Sequence, residues 1–363
     1  MGNVNFYGSV FGQSGYDVHT RNLVNSFYKL NNLTHLSTNL PADWIRNAST
    51  AEMNMVNLPY SYNATDVVID LPPFWDVQLS NKPRNFFGYC IWEGVNVPKF
   101  WSQTLKNPSI NAIITPSKHT KRAILETIGQ GYEDKVKVIP HGVNTGLFKP
   151  NTKLRPEKFT FFANKGWANG VNDRGGVQWL LKAFCEEFKP GEAELLLKIN
   201  TAYCPPGWNL AVELQKLGLV PEMTQNIKFI PQNVEYWQLP ELYNQAHCFV
   251  SPTMGDSFNI PCLEAMSCGL PVITTAFGGQ TDYVNENNGW LIDYDLIDVT
   301  WDMMYQGNKW AKPDIQHLKS LMRIAYNNKD VIEQKGKLAQ TTAQQLTWDN
   351  SARLLYNLIS EHE

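Results

Sequence analysis

The sequence has no apolar run of about 18 residues, the length that a membrane-spanning helix needs, and its first residues lack the pattern of a signal peptide. The six cysteines show no C-x-x-C spacing, and the seven histidines form no H-E-x-x-H cluster. These absences predict free thiols in a reducing, cytoplasmic compartment and no bound metal. With 31 basic and 34 acidic side chains and no block of like charge, charge-driven nucleic-acid binding is disfavoured.

Two motifs of nucleotide binding and catalysis are also missing. No G-x-G-x-x-G occurs, which weighs against a dinucleotide oxidoreductase, and no G-x-S-x-G nucleophile elbow is present. What the sequence does contain is 43% hydrophobic residues over 363 positions, enough material for two packed domains.

Short apolar runs alternate with helical patterns in both halves of the chain. The runs predict buried parallel strands at 4–9, 34–39, 66–71, 85–92, 111–116, 136–140, 158–163, 194–199, 226–230, 247–251 and 271–275. Helices are predicted near 15–30, 97–107, 117–129, 176–188, 209–217, 239–246, 260–268 and 280–285, and throughout 316–363. The stretch 141–157 has the glycine and proline content of a linker. This alternation predicts an α/β fold of two doubly wound parallel-sheet domains, which bind ligands at the carboxyl ends of their strands.

The most informative stretch is 251–273, where a strand ends and a helix follows. Asn259 is a suitable N-cap, Pro261 suits the first turn, and Gly269 suits the position after the helix. The helix N-terminus therefore predicts an anion site, with Asp256 before it and Glu264 one turn into it. Both carboxylates could face a ligand; alternatively, Asp256 is a capping residue and Glu264 a solvated helix side chain.

These residues resemble a known signature. The segment 256–266, followed by Gly269-Leu270-Pro271-Val272-Ile273, resembles the E-x7-E motif of retaining glycosyltransferases of family 4, with Asp256 in place of the first Glu. Further pieces resemble the family in the same order along the chain: 138–150, 173–184, Gly278-Gly279 with 289–292, and Thr347-Trp348. The resemblance implies the GT-B fold, which consists of two facing Rossmann-like domains. It implies an acceptor domain over 1–150, a donor domain over 151–340, and a C-terminal helix over 341–363 that packs on the first domain.

The resemblance also implies roles for residues of the second domain. Glu264 would bind the nucleotide ribose, and Asp256 the hydroxyls of the transferred sugar. The donor-binding backbone would come from Phe258, Asn259, Ile260, Ile230 and Val234. A leaving diphosphate needs positive charge. Lys165 and Arg174 stand near the positions of the family's Arg and Lys, and Lys198 is an alternative cation.

In the first domain, the loop 8–16 resembles the family's glycine-rich loop, which implies donor contacts at Gly12 and Gly15; the alternative is a tight strand-to-helix turn. Glu93, where many members have a nearby His, would hold a sugar hydroxyl or guide the acceptor proton, or else cap the next helix. Three tryptophans could stack on a sugar or belong to the core: Trp75, Trp92 and Trp101. Asp293-Tyr294-Asp295 spells D-x-D and is predicted to be a surface turn.

The sequence thus predicts a metal-independent, retaining glycosyltransferase without a cofactor, with a UDP-, GDP- or ADP-sugar as its donor. Its candidates for catalysis are Lys165, Arg174, Asp256 and Glu93. The acceptor would be a glycan, a glycolipid or another hydroxyl compound, and the near-neutral charge allows at most weak membrane association. Two alternatives stay open: a nucleotide-sugar epimerase of the same fold, and a non-catalytic sugar- or nucleotide-binding protein.

Overall fold

The computed structural model describes residues 1–12, 14–40, 48–201 and 204–363. The chain forms two compact units. Unit 1 consists of Met1–Gly142 and Leu346–Glu363, and unit 2 consists of Val143–Gln345. The domain boundaries expected from the sequence fall at 150 and 340, and both positions lie within unit 2.

Unit 1 is built on a parallel sheet of six strands. Its elements are β1 (Val4–Tyr7), α1 (Gly15–Tyr28), β2 (Thr34–Ser37), α2 (Thr50–Asn57), β3 (Thr65–Ile69), α3 (Trp75–Leu79), β4 (Asn85–Tyr89), α4 (Ser102–Leu105), β5 (Ala112–Thr115), α5 (Lys118–Ile128) and β6 (Val136–Val138). The strand order is β2-β1-β3-β4-β5-β6. Helices begin where the sequence supplies side-chain caps: Ser14 and Asp17 form a capping box at α1, and Ser117 caps α5.

Unit 2 repeats this plan. Its elements are β7 (Thr160–Gly166), α6 (Val177–Glu187), β8 (Glu194–Asn200), α7 (Leu210–Lys216), β9 (Ile227–Ile230), α8 (Leu239–Asn244), β10 (Cys248–Ser251), α9 (Ile260–Ser267), β11 (Val272–Thr275), β12 (Gly289–Ile292), β13 (Tyr294–Val299), β14 (Asn308–Pro313), α10 (Ile315–Asn327) and α11 (Lys329–Gln345). The parallel sheet has the order β12-β11-β10-β7-β8-β9. The order reverses between β7 and β10, which is the switch point where doubly wound sheets bind ligands.

The last helix, α12 (Trp348–Ser360), belongs to unit 1 and packs on α1. Lys29, the residue that follows α1, pairs with Asp349 of α12 at 3.0 Å. The backbone of Gly142 lies so close to α12 that a Cβ there would meet the amide nitrogen of Trp348 at 2.1 Å. Among the described residues, none of the helices has both the length and the apolar character that crossing a bilayer requires.

The structure confirms the eleven predicted strand positions to within a few residues, and most of the predicted helices. The helix predicted at 280–285 is instead a 3-10 turn over Gly279–Asp282, and the one at 97–107 is a 3-10 turn, Lys99–Trp101, followed by the single turn of α4. The 316–363 stretch is divided into three helices. In both places the chain forms single turns in a connecting segment, where 3-10 geometry is common.

The D-x-D residues are not a turn. Asp293 precedes β13, and Tyr294 and Asp295 begin it, pairing antiparallel with Pro313 and Lys312 of β14. Alternation of polar and apolar residues in this stretch is typical of a hairpin with one solvated face. On the buried face of the hairpin, Trp310 packs with Met254, which lies in the loop after β10.

Candidate functional site

The candidate site lies in unit 2, at the carboxyl ends of β7 and β10. These two strands flank the switch point, so the loops that follow them diverge and leave a crevice at the sheet edge. The loop after β7 runs to the start of α6 at Val177, and the loop after β10 runs to the start of α9 at Ile260. The principal donor-site residues predicted from the sequence lie at these two loops, and the structure brings several of them into contact.

Lys165, near the end of β7, is the cation at the centre of the site. Its side chain is only 8% exposed. Its Nζ donates to Oδ1 of Asn259 at 3.1 Å and lies 3.7 Å from Oδ2 of Asp256. An ammonium group with little access to water keeps its attraction for an anionic ligand, because solvent screens it less than it would at the surface.

Asp256 is fixed by backbone hydrogen bonds. Its Oδ1 accepts from the amides of Phe258 at 3.2 Å and Asn259 at 2.6 Å, while Oδ2 points toward Lys165. The side chain keeps 25% of its surface exposed. Asp256 thus fixes the loop that precedes α9 and does not cap the amides of the helix itself, and two of the three amides predicted to face the donor are already used by Asp256.

Arg174 reaches the same loop from the other side. Its Nη1 donates to the carbonyl of Gly255 at 2.6 Å, and its own carbonyl accepts from Met254 N at 2.8 Å. Gly176, which follows shortly after, has a φ of +82°, and a Cβ there would meet the carbonyl oxygen of Pro252 at 1.9 Å. Glycine is thus required for this approach, and it places the start of α6 directly against the loop after β10.

The loop that carries Arg174 is organised by its neighbour Asp173. The buried carboxylate of Asp173 accepts from the amides of Ala168, Asn169 and Gly175 at 2.7–3.2 Å. Burial raises the pKa of Asp173, an effect that these three amide donors oppose. The loop between Lys165 and Arg174 is therefore ordered around one carboxylate, and a Cβ added at Gly175 would lie 3.8 Å from the Cβ of Lys165.

The N-terminus of α9 differs from its prediction in one respect. Asn259 occupies the N-cap position, and Pro261 lies in the first turn as predicted. However, the Asn259 side chain makes no capping hydrogen bond, and its backbone is left-handed, with φ 65° and ψ 62°. Its carboxamide instead contacts Lys165 and Ser251, and Asp256 accepts from the backbone amide of Asn259. At the other end, Gly269 has the positive φ expected after a helix.

Glu264 is neither solvated nor in the Lys165 cluster. It is 2% exposed, and its Oε2 accepts a hydrogen bond from the hydroxyl of Tyr243 at 2.7 Å. Burial raises the pKa of Glu264 to about 7, and hydrogen bonds from Tyr243 and Tyr236 oppose that rise. The alternative of a solvated helix Glu is therefore wrong. Helix α9 is apolar, and seven of its eight residues are buried.

The remaining predicted donor-site residues are Lys198, Ile230 and Val234. Lys198, on β8, is 4% exposed; its Nζ donates to the carbonyl of Ile199, and burial lowers its pKa. Ile230 is the last residue of β9, and Val234 lies in the following loop, both half-buried. Their contacts with a base stay predictions.

In unit 1, the loop after β1 is held by its own carboxylate. Asp17 accepts from the amides of Gly12 and Ser14 at 3.0 Å and from the hydroxyls of Ser9 and Ser14. Burial alone would raise the pKa of Asp17, but these donors lower it. A Cβ at Gly12 would meet Asp17 Oδ2 at 2.4 Å, whereas one at Gly15 would meet nothing within 4 Å. The glycine at position 12 thus serves a tight turn; Gln13, within the predicted loop, lies outside the described residues.

The tryptophans proposed for sugar stacking belong to the core of unit 1. Trp75, Trp92 and Trp101 are at most 1% exposed, and Trp92 donates its indole N–H to the carbonyl of Asn96 at 2.6 Å. Glu93 is half-buried, and its carbonyl accepts from His119 at 3.0 Å. Its proposed contact with an acceptor stays a prediction.

Sequence reasoning missed Tyr243, Tyr283 and the side-chain role of Asn259. The hydroxyl of Tyr283 donates to the carbonyls of Phe258 and Asn259, both at 2.8 Å, and so fixes the start of α9. Both tyrosines come from segments distant in sequence, and a lone tyrosine in an apolar segment gives no signal of its partner. Within the described residues, the six cysteines are free, and no three His, Cys, Asp or Glu side chains are grouped as metal ligands would be.

Comparison with known proteins adds three observations. Residues 167–300 match the family model described as glycosyl transferases group 1. D-inositol 3-phosphate glycosyltransferase of Paenarthrobacter aurescens is 22% identical over 232 residues, covering 61% of this chain and 50% of that protein. An uncharacterized glycosyltransferase of Methanocaldococcus jannaschii is 25% identical over 259 residues, covering 68% and 59%. The chain spans about half the length of the curated relatives it matches.

Solved structures match over the whole chain. Sucrose-phosphate synthase from Thermosynechococcus elongatus has a TM-score of 0.73 at 16% identity, and Anabaena HepE in complex with UDP-glucose has 0.74 at 14%, each covering 99% of both chains. Together with the two six-stranded parallel sheets, this defines the class: the chain has the GT-B fold. Within that class, residues 167–300 match the model of the glycosyl transferases group 1 family, and the segment 251–273, which carries the sequence resemblance, lies inside the matched range.

Proposed function

We propose that this chain transfers a sugar from a nucleoside-diphosphate sugar to an acceptor hydroxyl, with retention of anomeric configuration and without a metal ion. One observation carries the proposal: Lys165 and Arg174 both reach the loop 255–259 at the switch point of unit 2. The names of the matched relatives support the glycosyl-transfer class.

The two cations suit the chemistry of the leaving group. As the bond between the anomeric carbon and the diphosphate oxygen breaks, negative charge grows on the diphosphate, and preorganised cations stabilise that charge. Lys165 and Arg174 bring two positive charges to the loop 255–259, beside the carboxylate of Asp256, while the nearby carboxylate of Asp173 is held by backbone amides. The acceptor oxygen bonds to the anomeric carbon on the face that the diphosphate leaves, and the departing phosphate takes the acceptor proton. No protein nucleophile is required on this route.

Asp256 and Glu264 have separate parts in this proposal. The exposed quarter of Asp256 is available to hydroxyls of the transferred sugar, while its bonds to two amides fix its direction. Glu264, held by Tyr243, binds the ribose hydroxyls. Ile230, Val234 and Ile260 supply backbone groups for donor binding, and Lys198 is an alternative cation for the diphosphate.

The donor belongs to the class of UDP-, GDP- or ADP-sugars; a neighbour in fold, Anabaena HepE, is described in complex with UDP-glucose. Unit 1 takes the acceptor, a glycan, glycolipid or other hydroxyl compound, with Glu93 as the candidate to guide its proton. The glycine loop at Gly12 and Gly15 contributes shape and steric access, because the amide of Gly12 already serves Asp17.

The test is turnover with a panel of UDP-, GDP- and ADP-sugars and hydroxyl acceptors, with EDTA present. Release of nucleoside diphosphate and the anomeric configuration of the product are followed by NMR. The proposal predicts one diphosphate released per glycoside formed, with the donor's configuration kept. Inversion of configuration, or turnover that EDTA abolishes, would contradict the mechanism.

The same panel separates the two alternatives. An epimerase would release a free sugar isomer in the absence of acceptor. A non-catalytic binding protein would bind one nucleotide series and turn over none of its sugars. The Asp256 carboxylate beside Lys165 favours transfer over epimerisation, because it provides a sugar-hydroxyl acceptor next to the phosphate site, and turnover separates transfer from binding alone.

A further inference from the structure

The backbone of Asn259 is in a conformation that glycine adopts at no cost. Among the described residues, three that are not glycine have positive φ: Asn63, Lys82 and Asn259. Asn63 and Lys82 are exposed, whereas Asn259 is 1% exposed. A left-handed backbone at a buried non-glycine residue costs about 1–3 kcal/mol and persists where the surrounding structure holds it. A specific reason is therefore needed for asparagine, and not glycine, at position 259.

The carboxamide of Asn259 connects the two strands of the switch point. Its Oδ1 accepts from Lys165 on β7 at 3.1 Å, and its Nδ2 donates to the hydroxyl of Ser251, the last residue of β10, at 2.9 Å. The hydroxyl of Tyr283 holds the Asn259 carbonyl at 2.8 Å. With both ends of the amide engaged, its orientation is fixed, and so is the acceptor that it offers to Lys165.

This arrangement bears on the charge of Lys165. The nearest hydrogen-bond partner of its Nζ is a neutral amide oxygen, while the carboxylate of Asp256 stays at 3.7 Å, beyond hydrogen-bond distance. The two charges attract each other at 3.7 Å, but the neutral acceptor orients the ammonium group and leaves it without a direct hydrogen bond to Asp256. The other oxygen of Asp256 is held by two backbone amides, which prevents the carboxylate from turning to Lys165 with both oxygens.

We propose that Asn259 is a positioning residue that keeps the ammonium of Lys165 oriented toward the diphosphate of the donor and out of a direct hydrogen bond with Asp256, a role that rests on the nucleotide-sugar transfer proposed above. The sequence predicts a helix cap and a backbone contact for Asn259, and the proposal adds a role for its side chain.

The test replaces Asn259 by glycine and by aspartate. Asn259→Gly keeps the left-handed backbone without strain and removes the carboxamide, so Lys165 is left with Asp256. Asn259→Asp keeps the shape and adds a second carboxylate beside Lys165. Asn63→Gly is the matched control, because it makes the same change at an exposed left-handed asparagine of unit 1. Binding of UDP, GDP and ADP and of the corresponding nucleosides is measured by calorimetry, and melting temperatures confirm that each variant is folded.

For the nucleotide series that the wild type binds, Asn259→Gly should weaken diphosphate binding about tenfold, and Asn259→Asp should weaken it more, with nucleoside affinity unchanged. Asn63→Gly should bind like the wild type. If Asn259→Gly binds the diphosphate as tightly as the wild type, or if nucleoside and diphosphate weaken equally, the positioning role is wrong. A wild type that binds no nucleoside diphosphate would instead overturn the proposed function itself.

Discussion

The buried carboxyl of Glu264 makes a quantitative prediction about stability. Burial raises its pKa from 4.5 to about 7 in the folded chain. Between these two values the folded state holds a proton that the unfolded state has released. The stabilisation from this group is therefore complete below pH 4.5 and is lost as pH rises through about 7. The change corresponds to about 3 kcal/mol over the full range.

Glu264→Gln removes the titration and keeps an oxygen for the hydroxyl of Tyr243. The free energy of unfolding of both proteins is measured by urea titration at about pH 5 and about pH 8. Between these conditions, the stability of the variant relative to the wild type should rise by about 2.5 kcal/mol, because only the wild type loses its bound proton.

A matched control is Glu241→Gln, the same change at an exposed position of helix α8. Its difference from the wild type should not vary with pH in this way, since that side chain stays in water on folding. If the difference between Glu264→Gln and the wild type were also constant across the range, Glu264 would be ionised throughout, and the account of its burial would be refuted.

Two further predictions concern other sites. Gly176→Ala should destabilise unit 2 by more than about 2 kcal/mol and weaken nucleotide binding, because its Cβ would meet Pro252 O at 1.9 Å; Gly191→Ala, also at positive φ but with open space, isolates the cost of the backbone in the same unfolding assay. Burial lowers the pKa of His19 to about 3, so acid protonates the unfolded state first and stability falls as pH drops below 6.5. His19→Phe should retain about 3 kcal/mol more stability than the wild type on going from neutral pH to about pH 4, as read from urea midpoints; an equal loss in both proteins would contradict this.

Much of the fold was predictable from the sequence because buried parallel strands are continuous apolar runs bounded by turn residues. Strands such as β7 and β10 stand out for this reason, and so does the helix α9 between Pro261 and Gly269. The hairpin β13–β14 was missed because its strands alternate polar and apolar residues and are half-solvated. Short helices such as α2 and α3 lack enough turns to show a period.

The sequence predicts several residues of the candidate site, but few of the contacts between them. Lys165 and Arg174 were assigned from the family resemblance and Asp256 from its place before a helix, and in the structure the three residues meet at the loop 255–259. The partner of Glu264 could not be found, because Tyr243 lies on another helix and local periodicity carries no information about packing between helices. The same holds for the carboxamide of Asn259, whose left-handed backbone depends on the bond from Tyr283.

The central claim is that the switch point of unit 2 binds a nucleoside diphosphate through Lys165. The most direct measurement is calorimetric titration of UDP, GDP and ADP, and of their nucleosides, into the wild type, Lys165→Met and the control Lys182→Met, which lies exposed on helix α6. A charge-assisted hydrogen bond to phosphate contributes about 1.5–3 kcal/mol, so Lys165→Met should lose about tenfold or more in diphosphate affinity while nucleoside affinity stays unchanged. Equal diphosphate affinity in all three proteins would contradict the account.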